Sequence, residues 1–213
     1  PYGLMFSPET STSDRCMIGG MVGNNSCGSH SLVYGSVRDH LIEARVVLAD
    51  GSVTTFKRLR REEVEQKKLT EGLEGEIYRI IDRETENLDI EAFPDKRLRR
   101  RNNGYALDLV RTEDDGLDLC KILCGSEGTL AIATKLKLGL DPLPPKESAV
   151  LCCHFDRMES VFEANLMAIE AGATAVELID GKIIQLSRKT LAARENAKLI
   201  EGNPEAVLAI EFA

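Results

Sequence analysis

The chain has 213 residues, of which 43% are hydrophobic and 29% are charged, and its formal net charge is -8. A chain of this length and composition can fold as a globular protein with a sizeable core. The acidic balance argues against nucleic acid as a partner, because contacts from Lys and Arg to phosphates dominate such binding. We therefore expect no nucleic-acid partner. No segment reaches the run of about 18 apolar residues that would predict a membrane-spanning helix.

The six cysteines lack the paired spacing of a metal site. We expect reduced, mostly buried thiols with no disulfide framework and no metal, as is usual inside the cell. No signal peptide is recognisable. These features predict a cytoplasmic protein, with membrane association only through partners. The cysteines are Cys16, Cys27, Cys120, Cys124, Cys152 and Cys153.

The first part of the chain changes from turns to a hairpin. Residues 1–15 are rich in turn-forming residues, and GMVGNNSCG, residues 20–28, is expected to hold one or two helical turns. The segment LIEARVVLADGSVTTF, residues 41–56, predicts two strands joined at Asp50 and Gly51, because an Asp-Gly pair between β-branched runs favours a tight hairpin.

From Arg60 to about Leu88 the apolar residues recur at helical spacings, which predicts a helical region. GLDLCKILCG predicts a short helix ended by Gly125. The following segment TLAIATKLKLGL alternates between apolar and polar residues, which is typical of a half-buried strand. Its apolar residues stand at even positions: Leu130, Ile132, Leu136, Leu138 and Leu140.

The proline-rich segment DPLPPKES, residues 141–148, predicts a domain boundary. We expect one domain over residues 1–142 and a second over residues 148–213. The second has a strand–helix–strand pattern typical of an α/β sandwich, and its first helix carries an apolar stripe of Met158, Phe162, Leu166 and Ile169. The expected order is a strand at Ala149–Phe155, a helix at Met158–Ala171, a strand at Thr174–Ile179, a helix at Gly181–Ala193 and a strand at Ala206–Phe212.

Two segments rich in small residues are candidates for a binding site. The first, GGMVGNNSCG, covers residues 19–28, and the second, CGSEGTLAIAT, covers residues 124–134. Glycines let a backbone approach a ligand closely, and free N–H groups at a helix start favour an anion such as a phosphate. The spacing matches neither a Rossmann fingerprint nor a P-loop. Tight turns with no ligand are the alternative interpretation of both segments.

Taken together, the segments IGGMVGNNSCG, YGSVRDHLIEARVVLADG and GSEGTLAIAT carry a family resemblance. The sequence resembles the FAD-binding domain of the p-cresol methylhydroxylase and vanillyl-alcohol oxidase type. Within that superfamily it is most similar to FAD-linked dehydrogenases of D-2-hydroxy acids, such as glycolate oxidase flavoprotein subunits, D-lactate dehydrogenases and D-2-hydroxyglutarate dehydrogenases. The resemblance implies an α+β fold, with the second FAD subdomain, a mixed sheet with flanking helices, followed by the start of an α/β ferredoxin-like substrate domain.

The same resemblance implies an FAD-dependent oxidoreductase that oxidises a small 2-hydroxy acid by hydride transfer to the flavin and passes electrons to an acceptor. It assigns no catalytic or metal-binding residue within this chain. The residues that it places at the FAD are Ser11, Ser13, Met17, Gly19, Gly20, Asn24, Asn25, Ser26, Cys27, Glu127, Gly128, Thr129, Leu130, Ala131 and Ile132.

The resemblance also leads us to expect a fragment. In this family a first FAD subdomain precedes the matching segment, and the later part of the substrate domain follows it. The chain alone is therefore expected to be inactive and to hold FAD weakly or not at all. The alternatives are a non-catalytic α+β module, an FAD oxidase that uses molecular oxygen, and a longer flavin and iron–sulfur oxidoreductase.

Overall fold

The computed structural model describes residues 2–95, 97–98, 100–189 and 199–213. The chain folds as two compact units, residues 1–141 and residues 142–213. Each unit combines helices with antiparallel sheet, which confirms the predicted α+β class. The expected mixed sheet of the first unit is wrong, because every strand pair of its four-stranded sheet is antiparallel. The assignment of residues 1–142 to an FAD-binding domain and residues 148–213 to a substrate domain stays a prediction.

The first unit is built on an antiparallel sheet with the strand order β4-β3-β2-β5. The predicted hairpin is present, since β2 pairs with β3 from Val47 opposite Val53 outward. Gly51 makes the turn possible, because its φ of +84° lies in the left-handed region that favours glycine. The strands are β1 (Leu4–Met5), β2 (Leu41–Val47), β3 (Val53–Leu59), β4 (Leu117–Asp118), β5 (Ile132–Leu138) and, at the end of this unit, β6 (Asp141–Pro142).

The helices of the first unit are short apart from one. The helical region predicted from Arg60 is two helices, because Gly72 with φ +80° breaks the chain direction before Leu73. The helices are α1 (Ile18–Asn24), α2 (Ser31–Tyr34), α3 (Val37–His40), α4 (Arg61–Lys68), α5 (Leu73–Glu86) and α6 (Cys120–Leu123), with 3-10 turns at Ile90–Ala92 and Leu107–Leu109.

Asp82 on α5 joins the two longest helices of this unit. Its buried carboxylate accepts hydrogen bonds from Arg61 and Lys68 on α4, at 2.7 and 2.8 Å, and from Arg111, at 2.9 Å. Burial alone raises the pKa of a carboxyl group, but these three cations outweigh it and hold the pKa of Asp82 far below its ordinary value.

The predicted half-buried pattern of β5 is only partly correct. Leu136 and Leu138 are half-buried against the core, but Ile132 is 67% exposed and Ala133 packs inward instead. The cause is a register shift, since Arg45 pairs with Lys135 whereas Val46 pairs with Ala133. One extra residue in β5 reverses which side chains face the core.

The second unit contains an antiparallel sheet with β9 between β7 and β8. Its elements begin and end within about a residue of the predicted positions, because the Gly and Pro punctuation there is strong, except for the end of the second helix. That helix was predicted over Gly181–Ala193 but ends at Ser187, and residues 188–189 form a turn. Residues 190–193 of the predicted second helix lie outside the described residues. The elements are β7 (Ala149–Phe155), α7 (Met158–Glu170), β8 (Ala175–Asp180), α8 (Gly181–Ser187) and β9 (Ala206–Phe212).

The predicted core stripe of α7 is wrong for its larger residues. Phe162 and Leu166 are about 60% exposed, whereas Val161 and Ala168 are buried against Leu208 of β9. Small residues let a helix approach a sheet closely. Phe162 follows Val161 by one position, which is a rotation of about 100° around the helix, so the two side chains leave it in different directions. None of the helices in the described ranges is long and apolar enough to cross a membrane.

Candidate functional site

The first glycine-rich segment forms α1 and the turn that follows it. Met21 and Val22 are buried and anchor the helix to the core. The helix ends at Asn25, whose φ of +46° is left-handed, a conformation that Asn tolerates better than most residues. The chain therefore leaves α1 through a fixed turn that carries Ser26 and Cys27.

The second segment forms a tight turn after α6. Gly125, Glu127 and Gly128 have φ values of +91°, +51° and +78°. This turn lies directly against the end of α1, because the Gly125 N–H donates to the Val22 carbonyl and the Glu127 N–H to the Gly23 carbonyl, both at 2.9 Å. Two segments that are about a hundred residues apart in the sequence are therefore joined by backbone hydrogen bonds.

A cleft of about 520 Å³ lies where the two segments meet. Both segments line it, and residues 12–17 of the preceding loop form a further side. Predicted residues in its lining are Met17, Gly19, Gly20, Asn24, Ser26, Glu127 and Gly128. Thr12, Cys16, Met21 and Gly23 also line it and were not in the predicted set, although Gly23 belongs to the same glycine-rich run that identified its neighbours.

The remaining predicted residues do not line this cleft. Asn25 and Ala131 are buried, and Cys27 is half-buried. Ser11, Ser13, Thr129, Leu130 and Ile132 are exposed but are not part of the cleft lining. Contact between these residues and FAD stays a prediction.

Gly19 and Gly20 have no structural reason to be glycine in the described part of the chain. Both lie inside α1 with no positive φ, and a Cβ on either would meet no atom within 4 Å. Glycine inside a helix costs about 0.5–1 kcal/mol relative to alanine. A fold that needed only a turn gains nothing from these two residues, whereas open space beside the backbone suits a bound ligand.

The contrast with Gly28 supports this interpretation. A Cβ on Gly28 would lie 2.1 Å from the Glu9 carbonyl oxygen, so packing alone explains that glycine. Packing explains Gly28 but neither Gly19 nor Gly20, and these two line the cleft. The structure therefore divides the first segment into positions that serve the fold and positions that face the cleft.

A buried polar cluster fixes the loop that precedes the cleft. The His40 Nδ1–H donates to the Ser36 carbonyl at 2.9 Å, and Nε2 lies 2.7 Å from the Asp141 carboxylate and 3.0 Å from the Ser7 hydroxyl. The Ser7 hydroxyl also donates to Asp141. These hydrogen bonds, chiefly that from Ser7, lower the pKa of Asp141. The cluster ties residue 7 to the sheet and so positions the loop that leads to Thr12.

The six cysteines are free thiols, and Cys16 lines the cleft. No disulfide joins the six thiols, and burial raises the pKa of Cys124 to about 12. Cys152 is exposed, which corrects the expectation of buried thiols at that position. Within the described residues, no group of three or more His, Cys, Asp or Glu side chains is placed to hold a metal ion.

Comparison with known proteins bears on the predicted family resemblance. Residues 1–57, which include α1 and the turn after it, match the family model described as the FAD binding domain. The predicted resemblance is confirmed. The chain is 35% identical over 209 residues to D-2-hydroxyglutarate dehydrogenase of Pantoea ananatis and 34% identical over 209 residues to that of Escherichia coli, in each case with 96% of this chain aligned. It is 27% identical over 159 residues to a glycolate oxidase subunit of Escherichia coli, with 75% of this chain aligned.

The chain spans only about one fifth of the length of these relatives, with 20% of each dehydrogenase and 21% of the glycolate oxidase subunit covered. Among solved structures, alkyldihydroxyacetonephosphate synthase matches with a TM-score of 0.56 and 15% identity, over 99% of this chain and 30% of that chain. At this identity the match shows the fold alone, and it agrees with the α+β class.

Proposed function

We propose that the cleft between α1 and the turn after α6 is part of an FAD site, and that the whole protein is an FAD-dependent oxidoreductase. The observation that carries this proposal is the pair of open helical positions, Gly19 and Gly20, in a cleft built from both glycine-rich segments. When bound, FAD supplies the redox chemistry, and the protein supplies binding and orientation.

The residues of the cleft suit a cofactor with a polar chain. The exposed Asn24 carboxamide and the Ser26 hydroxyl offer neutral hydrogen-bonding groups, and Gly19, Gly20 and Gly128 leave the backbone accessible. Glu127 is the charged residue of the lining, and its carboxylate would repel the phosphates of a bound cofactor.

We further propose a D-2-hydroxy acid as the substrate and D-2-hydroxyglutarate as the first compound to test. This choice is supported by the names of the relatives at 34–35% identity, which align with nearly the whole chain. A small-molecule substrate and a separate electron acceptor belong to the same proposal. We assign no catalytic base and no group that binds the substrate carboxylate within this chain.

The test is made on the full-length protein that contains this chain. Purified protein should show flavin absorption bands and release FAD on denaturation. Its visible flavin band should bleach, as expected for reduction of the flavin, when D-2-hydroxyglutarate is added without oxygen. L-2-hydroxyglutarate, D-lactate and glycolate define the specificity. Protein that contains no FAD and takes up none on reconstitution would refute the proposal and leave the non-catalytic module as the explanation.

The Gly20→Leu variant tests whether Gly20 serves a ligand site or only a structural turn. Because the position is helical and open, leucine should keep or raise the stability of the fold. The same side chain would fill part of the cleft. Overpacking typically costs about 1–3 kcal/mol, which corresponds to about a 5- to 150-fold loss of FAD affinity. A matched Gly51→Ala variant, in the hairpin turn, should bind FAD like the wild type. Equal affinity in Gly20→Leu and wild type would place the cofactor elsewhere.

A further inference from the structure

Arg38 is a buried arginine that contacts no carboxylate within hydrogen-bond distance among the described residues. Its relative exposure is 4%, and its guanidinium donates instead to three backbone carbonyls. Nε donates to Lys121 at 3.0 Å, Nη1 to Arg101 at 3.1 Å and Nη2 to Cys124 at 2.8 Å. Burial lowers the pKa of this guanidinium, but arginine stays charged in proteins.

The three carbonyls belong to two parts of the chain, α6 with the residue after it and the loop that contains Arg101. Lys121 and Cys124 are in and after α6, at the start of the second glycine-rich segment, and Arg101 is in the loop before the second 3-10 turn. A planar guanidinium can serve acceptors in several directions at once, which an ammonium group on a flexible stem cannot do in the same geometry. Arg38 therefore fixes the spacing between these segments.

Asn25 connects the backbone of Arg38 to the first segment. Asn25 is 1% exposed, its Oδ1 accepts from the backbone N–H of Arg38 at 2.9 Å, and its Nδ2 donates to Asn102 Oδ1 at 2.8 Å. The Cys124 thiol lies 3.5 Å from the same Oδ1. The polar atoms of the Asn25 side chain are thus engaged inside the fold, and Asn25 does not line the cleft.

We infer that Arg38 and Asn25 form a buried hub that sets the distance between the two walls of the cleft, and that Arg38 is a positioning residue for the FAD site. The inference rests on the proposed function. Arg38 acts through its hydrogen bonds to the carbonyls of Cys124 and Lys121 and not through contact with the cofactor.

The alternative explanation for a role of Arg38 is electrostatic attraction between its buried charge and the phosphates of the cofactor. Arg38→Lys keeps the charge but cannot reproduce the three hydrogen bonds, whereas Arg38→Met removes both. If Arg38 positions the walls, the two variants should lose FAD affinity to a similar extent. If Arg38 acts by charge, Arg38→Lys should bind like the wild type.

The experiment measures the dissociation constant of FAD for the full-length protein by reconstitution of the apoprotein, corrected for the folded fraction. Supporting hydrogen bonds around metal sites are worth about 10- to 100-fold in affinity, and we expect a loss of that order for Arg38→Lys and Arg38→Met. Arg58→Lys is the matched control, because Arg58 is 61% exposed and pairs with Asp114 outside the cleft, and it should bind like the wild type.

Asn102→Ala provides a second variant with little risk to folding, since Asn102 is exposed and gives the hub one hydrogen bond. We expect about a 3- to 10-fold weaker affinity for FAD, the size of one neutral hydrogen bond, and a changed visible circular dichroism of the bound flavin. Wild-type affinity and an unchanged flavin spectrum in Arg38→Lys would overturn the inference, as would the same result in Asn102→Ala. Wild-type protein that fails to bind FAD at all would instead overturn the proposed function.

Discussion

Replacing Gly125 by alanine tests whether the turn between α6 and the cleft is fixed by steric necessity. Gly125 has φ +91°, and a Cβ there would lie 2.8 Å from Arg38 Nη2 and 3.4 Å from the Asn25 Cβ. The tip of an arginine usually moves aside easily, but this one is held by hydrogen bonds to three carbonyls. The substitution therefore strains the backbone and displaces the guanidinium.

The magnitude follows from two contributions. A residue with a Cβ in the left-handed region costs about 1–2 kcal/mol, and loss of the charge-assisted hydrogen bond to the Cys124 carbonyl costs about 1.5–3 kcal/mol. We expect Gly125→Ala to lower the free energy of unfolding of residues 1–141 by about 2.5–5 kcal/mol. Gly51→Ala is the control, because Gly51 has φ +84° and a Cβ there would meet open space, so only the strain of about 1–2 kcal/mol applies.

The sequence itself provides the assay. The chain has four tyrosines and no tryptophan, and the tyrosines, at positions 2, 34, 78 and 105, lie within residues 1–141. Tyrosine fluorescence during urea unfolding therefore reports on that unit. In an Arg38→Ala background, Gly125→Ala should cost no more than Gly51→Ala does in the wild type. Equal costs of Gly125→Ala and Gly51→Ala in the wild-type background would refute the reasoning.

Three other predictions concern the same unit, and urea unfolding measures their changes in stability. Asp82→Asn should destabilise residues 1–141 by about 2–4 kcal/mol, since it leaves the cations of Arg61, Lys68 and Arg111 without their shared carboxylate. Because folding lowers the pKa of Asp82, its contribution to stability is fully present above the unfolded pKa of about 3.9 and is lost as the pH falls toward the folded value. The free energy of unfolding should therefore fall more steeply in acid for the wild type than for Asp82→Asn. Parallel curves of unfolding free energy against pH would contradict this. Asp141→Asn should cost about 1 kcal/mol and increase proteolysis in residues 7–17, because the Ser7 and His40 contacts hold that loop; an unchanged cleavage pattern would contradict the role of the cluster. Tyr78→Phe should be neutral or stabilising by up to about 1 kcal/mol, since the Tyr78 hydroxyl is buried with no hydrogen-bond partner in the described part of the chain; a loss above 1 kcal/mol would show a hidden partner.

Much of the local structure was predictable because it depends on short-range signals. Asp50 and Gly51 favour a hairpin wherever β-branched runs flank them, and the order of elements in residues 149–212 follows from alternation, helical spacing and glycine. The predictions that failed depended on partners distant in sequence. Alternation in TLAIATKLKLGL does not reveal the bulge opposite Arg45 and Val46, which turns Ile132 outward.

For the site, the sequence by itself determined which residues are small and which family they resemble. It did not determine that Gly23 and Glu127 share a hydrogen bond, that Asn25 faces inward, or that Arg38 joins three segments. Side-chain period and glycine content are properties of neighbours along the chain, whereas a buried guanidinium takes whichever carbonyls the packed core places around it. The tertiary structure alone therefore separated the glycines that the fold requires from the two, Gly19 and Gly20, that it leaves open beside the cleft.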